Sequence, residues 1–192
     1  MRRRGLMGDG LHKTVLLRNF DAASGQTFTE STGFTAAAGR VLTLFLDFTF
    51  TGNQGDGSTS VINNVLCAGI SPQEWNDTCC RLYTGNGDAS QLLVVGFDDG
   101  GQQYLSAGGS LIRRNKAVMR LNYAAGTMDV WLNGQQIAQS FGAFGTGGQA
   151  ACLGAVSISN AEGSSRFRGT YHEISILPGA LRDEQLRALT IV

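Results

Sequence analysis

The sequence predicts an all-β protein: two antiparallel sheets packed as a sandwich, closed by one short C-terminal helical turn. Three observations carry this expectation. About ten to twelve short apolar segments recur along the chain, the spacing of a β-sandwich rather than of a helical bundle. The 27 Gly residues fall mostly between those segments, where turns are needed, while Pro is limited to 2. Helical spacing occurs only once, near the C-terminus. With 192 residues and neither repeat nor linker, residues 1–192 are expected to form a single domain, with residues 1–10 as an Arg-rich N-terminal arm.

The elements follow in order. Leu11–Phe20 (LHKTVLLRNF) reads as an edge strand, and Thr27–Phe34 as a second strand bounded by Gly25 and Gly33. Val41–Thr51 (VLTLFLDFTFT) is the clearest strand: Leu42, Leu44, Leu46, Phe48 and Phe50 alternate onto one face. Its other face carries Val41, Thr43, Phe45, Asp47 and Thr49, a mixed set suited to solvent or a partner. Gly52–Ser60 is a loop. Val61–Ile70, Arg81–Tyr83, Gln91–Phe97 and Tyr104–Leu111 read as further strands, with a Ser-Pro turn signal at Ser71-Pro72. Ala117–Tyr123 and Thr127–Leu132 pair around Ala124-Ala125-Gly126. Asn133-Gly134 then marks a type I′ hairpin, because both residues tolerate positive φ. Trp131 alternates with Val130 and Leu132 and is therefore expected on the opposite face from them. Cys152–Ser159 and Phe167–Leu177 complete the strands. In Asp183–Leu189, Leu186 and Leu189 share one helix face, and Asp183 and Glu184 suit its N-terminus.

Composition excludes several classes. Apolar residues make up 42% and the formal net charge is zero, which argues against a disordered chain. The same neutrality argues against a general nucleic-acid binder. No apolar run approaches the ~18 residues of a membrane span. Met1-Arg2-Arg3-Arg4 resembles the start of an export signal, but Gly5, Gly8, Asp9, Gly10 and His12 interrupt the apolar stretch that should follow. A cytoplasmically made protein, or a fragment of one, is therefore expected. Arg2, Arg3 and Arg4 are either a solvated tail or a partner-binding arm for an acidic surface. Cys67, Cys79, Cys80 and Cys152 form no CxxC pair, and two His are too few to complete a zinc site. They read as buried thiols, with a Cys67 bridge to Cys79 or Cys80 left open for an oxidising compartment.

Two segments together carry a family resemblance. Asn122–Ala138 (NYAAGTMDVWLNGQQIA) resembles the strand, small turn, strand and Asn-Gly turn of laminin G-like domains. Phe167–Leu189 (FRGTYHEISILPGALRDEQLRAL) resembles the closing strand and helical turn of the bacterial concanavalin A-like lectin/glucanase group. Phe167, Gly169, Glu173, Ile174, Ile176, Ala180, Leu181, Glu184 and Leu186 fall on matching positions. His172 and Pro178-Gly179 depart from the pattern. The resemblance implies a jelly-roll form of the sandwich. Its residues carry fold geometry rather than chemistry, and one fold hosts many functions.

The chemistry is sparse. Glycoside hydrolysis needs a carboxyl pair across the scissile bond. The chain has five Glu, of which only Glu173 sits centrally in a strand, and Asp47 is the other strand-centred acid. No carboxylate pair is legible, and no Ser lies in a nucleophile elbow. No phosphate-binding Gly motif precedes a helix. Asn86, Asp88, Asp98 and Asp99 lie at strand connections and are candidate calcium ligands, calcium being the one cofactor considered. For glycan binding, Trp75 with Asn76 and Asp77 is the best aromatic-plus-amide group, with Tyr83 weaker.

These readings favour a non-catalytic structural or interaction module of a larger assembly, with protein partners or self-association. A phage virion, as capsid decoration or tail-associated protein, is the expected setting, and a bacterial cell surface the alternative. The alternative function is a carbohydrate-binding, lectin-like module. A glycoside hydrolase comes third, for want of the carboxylate pair.

Overall fold

The computed structural model describes residues 12–22, 25–53, 63–72, 79–84, 91–98, 101–142, 152–161, 167–179 and 181–192. The expected connection carrying Trp75, Asn76 and Asp77 lies outside them, as do Arg2, Arg3, Arg4, Asn86, Asp88 and Asp99.

Twelve strands are present among the described residues. They are β1 (Thr14–Asp21), β2 (Thr29–Ala36), β3 (Val41–Asn53), β4 (Asn63–Gly69), β5 (Cys79–Thr84) and β6 (Gln91–Asp98). After these come β7 (Gly101–Ser110), β8 (Arg114–Asn122), β9 (Thr127–Leu132), β10 (Gln135–Gly142), β11 (Gly154–Ser159) and β12 (Phe167–Leu177). One helix, α1 (Asp183–Leu189), follows. The first sheet runs β1-β12-β3-β8-β9-β10 and the second β2-β11-β4-β5-β6-β7. All pairings are antiparallel. The chain is an all-β, two-sheet antiparallel jelly-roll sandwich with a short C-terminal helix.

The alternation expected in β3 decides its inner face. Leu42, Leu44, Leu46 and Phe48 are fully buried and join Val65, Leu66, Leu82, Leu92 and Val94 of the second sheet in one core. Tyr171 ties the sheets together: its hydroxyl donates to the Val65 carbonyl at 2.6 Å. Burial pushes that phenol well above its usual pKa, so it remains a donor. Phe28 meets the Tyr171 ring edge-to-face at 5.2 Å, and Phe167 meets it at 5.0 Å.

The outer face of β3 departs from expectation. Phe45 is not offered to solvent or a partner. It is 9% exposed and packs with Val118, Trp131, Leu177 and Leu186 in a second apolar cluster. The chain's own helix covers this face, because Leu186 and Leu189 share the stripe that 3.6-residue periodicity gives them. Trp131 belongs to this cluster while Val130 and Leu132 belong to the main core, as alternation requires.

The Asn133-Gly134 turn has φ of 49° and 81°, the conformation expected of a type I′ hairpin between β9 and β10. It also anchors α1. The Gly134 N–H donates to Thr190 Oγ1 at 3.1 Å, and Arg187 Nε donates to the Gly134 carbonyl at 2.9 Å. Cys67, Cys80 and Cys152 are buried thiols.

Candidate functional site

Strand β5 lies inside the second sheet, between β4 and β6. Cys80 and Leu82 enter the core, so Arg81 and Tyr83 project from the opposite, outer face. Both are nonetheless covered: Arg81 is fully buried and Tyr83 is 4% exposed. Tyr83 therefore does not present an open ring at a loop rim, contrary to its expected role as an exposed sugar platform. Asn64 of β4, the cross-strand partner of Tyr83, is also fully buried. Arg81 sits opposite Cys67 on one side and Val95 on the other. It engages other groups of the chain, as a buried cation must. The sequence reading placed the strand but passed over Arg81. Its signal was a charged residue between Cys80 and Leu82, one step out of phase with the core.

Two residues before β5 begins is Asp77, so the connection bearing Trp75 and Asn76 leads directly into this strand. Asp98 ends β6, opposite Gly101. Asn86 and Asp88 belong to the connection that enters β6 at Gln91. Of the four expected calcium ligands, Asn86, Asp88 and Asp99 lie outside the described residues. Asp98 is a strand residue rather than a loop residue. Among the described residues, no group of three or more His, Cys, Asp or Glu could hold a metal ion.

The strand-centred acids are on the other sheet. Glu173 of β12 stands directly opposite Asp47 of β3 on the outer face. Asp47 accepts two bonds from Arg114, from Nε at 2.9 Å and from Nη2 at 2.8 Å. Glu173 accepts from Lys13 and from Ser175 Oγ, and Arg18 approaches it at 3.7 Å. Burial pushes the Glu173 carboxyl up, but the hydrogen bonds from Lys13 and Ser175 and the charges of Lys13 and Arg18 outweigh it. The group titrates below its usual value. An acid–base pair requires one carboxyl held protonated near neutrality. The environment of Glu173 acts in the reverse direction. His172 bonds Thr49 Oγ1 at 2.6 Å, a contact between neighbouring strands.

No protein-family model matches the sequence, and no curated protein matches it. Solved structures do match its fold. A CBM40 module of the Ruminococcus gnavus IT-sialidase, solved bound to α2,3-sialyllactose, is 17% identical with a TM-score of 0.56. The match covers 93% of this chain and 98% of that one. The leech intramolecular trans-sialidase, complexed with 2,7-anhydro-Neu5Ac, is 20% identical with a TM-score of 0.61. There the match covers 96% of this chain but only 28% of the enzyme. A SAP-like pentraxin from Limulus polyphemus is 16% identical over 88% of this chain and 78% of that one, with a TM-score of 0.52. These likenesses show the jelly-roll sandwich fold. No family model singles out the laminin G-like branch.

Proposed function

We propose that this protein is a non-catalytic carbohydrate-binding module of the lectin type, taking glycans that end in an acidic sugar. One observation carries the reading: a free-standing CBM40 module seen with α2,3-sialyllactose matches this chain over 93% of its length and is itself covered over 98%. The two proteins are thus alike as whole modules. The reading takes the carbohydrate-binding alternative ahead of assembly into a virion, because the structural likenesses include a sialyllactose-bound module.

The site is proposed at the connection between β4 and β5. Trp75 supplies the stacking face for a pyranose ring, and Asn76 and Asp77 supply partners for its hydroxyls. Arg81, four residues beyond Asp77 in the sequence, adds a positive charge at the start of the strand that follows, which suits an acidic ligand. Calcium has no part in this reading. A glycan array of sialylated and neutral oligosaccharides, run with and without EDTA, tests it. Binding to sialylated glycans that is unaffected by EDTA and lost in Trp75→Ala is the expected result. Retention of no glycan, or equal retention by Trp75→Ala, would overturn it.

A further inference from the structure

A groove of about 490 Å³ lies on the outer face of the first sheet, between the β9–β10 turn and α1. That volume is within the ~300–1,000 Å³ of small-ligand sites. Trp131 forms part of its lining, Gln135 and Gln136 form one wall, and Asp183, Glu184 and Arg187 form the other. We infer that this groove is a second sugar-binding site, specific for a neutral pyranose, on the sheet opposite the β4–β5 connection.

Three features of the groove point to this ligand. The first is an indole N–H without an acceptor. Trp131 is 1% exposed. No residue among those described accepts a hydrogen bond from its Nε1, yet Nε1 is not one of the fully enclosed polar atoms that lack partners. Trp131 is part of the groove's lining, so the groove is the side from which an acceptor would reach this donor. A buried indole normally finds a partner, so a ligand hydroxyl is the group this donor lacks.

The second is the type of the wall groups. Gln135, Gln136 and Glu184 are exposed, and a carboxylate beside two amides offers both acceptors and donors to vicinal hydroxyls. The charged groups around the groove carry a small net negative charge: Asp183 shares Arg120 with Asp129, and Glu184 and Arg187 lie on the same helix. That charge disfavours an anionic sugar, while the amides and the carboxylate suit a neutral polyol.

The third is rigidity. Bonds from Gly134 N to Thr190 Oγ1 and from Arg187 Nε to Gly134 O lock one wall to the other. Arg120 stacks on the Trp131 ring at 5.0 Å and donates to Asp129 from Nε and Nη2 at 3.0 and 2.9 Å, fixing the lining from below. Walls held in place before binding lose little conformational freedom when a ligand enters.

The test uses ¹⁵N-labelled protein carrying Trp75→Phe, so that the single remaining indole N–H signal belongs to Trp131 and the proposed first site loses its aromatic group. Methyl β-glucopyranoside, methyl β-galactopyranoside and methyl α-mannopyranoside are titrated separately, alongside sialyllactose and spermidine. At least one neutral pyranoside should shift the Trp131 signal saturably. Adding Gln136→Ala and Glu184→Ala, both at exposed positions, should weaken that binding at least tenfold with an unchanged melting temperature. The inference is overturned if no neutral pyranoside moves the signal, if the double substitution leaves the titration unchanged, or if only sialyllactose or spermidine moves it. Failure of the Trp75 site alone would leave this titration intact.

Discussion

Asp47 and Glu173 face one another across β3 and β12, yet each is engaged by its own cations, Asp47 by Arg114 and Glu173 by Lys13 and Arg18. Directly opposed residues on one sheet face bring their Cβ atoms to about 4.5–5.5 Å. Two carboxylates so placed would repel if left alone. The three cationic neighbours convert that repulsion into a cross-strand ion network over the outer face of the first sheet.

The network makes stability depend on pH in a definite direction. The Glu173 carboxyl is held below its ordinary value, so its contribution is complete above the unfolded value of about 4.3 and is lost as pH falls through the lowered folded value. Its partners are solvent-exposed, which limits the effect to about 1 kcal/mol or less. Glu173→Gln should therefore be less stable than the wild type at neutral pH, with the gap closing on acidification. Urea midpoints measured across that range check this, and a gap independent of pH would contradict it.

The same arrangement predicts an absence of hydrolysis. Asp47 and Glu173 are each engaged by cations, and the Glu173 carboxyl is held below its usual value, the reverse of what a general acid needs. Fluorogenic sialosides and a panel of neutral glycosides should give no release above the uncatalysed rate. Turnover that disappears in Asp47→Asn or Glu173→Gln would show that the pair is catalytic.

Gly169 predicts a steric limit in the same strand. A Cβ at this position would overlap the Thr49 carbonyl oxygen and lie 2.7 Å from Phe167 Cζ. The pairing of β12 with β3 shifts register between Arg168 and Gly169, which brings the two backbones together there. Gly169→Ala should cost about 1–3 kcal/mol, since neither backbone nor a packed ring can yield cheaply. Chemical denaturation measures this, and an unchanged midpoint would mean that the bulge relaxes freely.

How much of this was readable from the chain differs by element. Alternation in Val41–Thr51 gave the inner face of β3, because period-2 burial leaves a direct trace in residue type. Asn133-Gly134 gave its turn for a similar reason, the need for positive φ. The outer face of β3 was less legible. Phe45 is indistinguishable from a partner-facing aromatic until Leu186, about 140 residues later, is seen to cover it. Glu173 opposite Asp47 required a register that a bulge between Tyr171 and Glu173 sets, and no local pattern encodes that bulge. Arg81 was visible as an out-of-phase charge, but its burial depends on what packs over β5.

The turn-to-helix joint gives the last prediction. Thr190 is fully buried, and its Oγ1 accepts from Gly134 N while donating to the Arg187 carbonyl at 2.9 Å. Thr190→Val keeps the shape and removes both side-chain bonds; the Gly134 N–H loses its acceptor, while the Arg187 carbonyl keeps the backbone N–H of residue 190 at 3.1 Å. Such a loss costs about 1–3 kcal/mol when water cannot replace the partner. Gly134 lies at the rim of the groove, so water can satisfy its N–H in part, and a net loss of about 1 kcal/mol is expected. The consequence should extend beyond stability, because α1 is what covers Trp131. A red-shifted Trp131 emission in a Trp75→Phe background would show that the helix has loosened from the second cluster. A full stability loss with unchanged emission would instead place the whole effect in the turn, and would show that Leu186 and Leu189 hold the helix without Thr190.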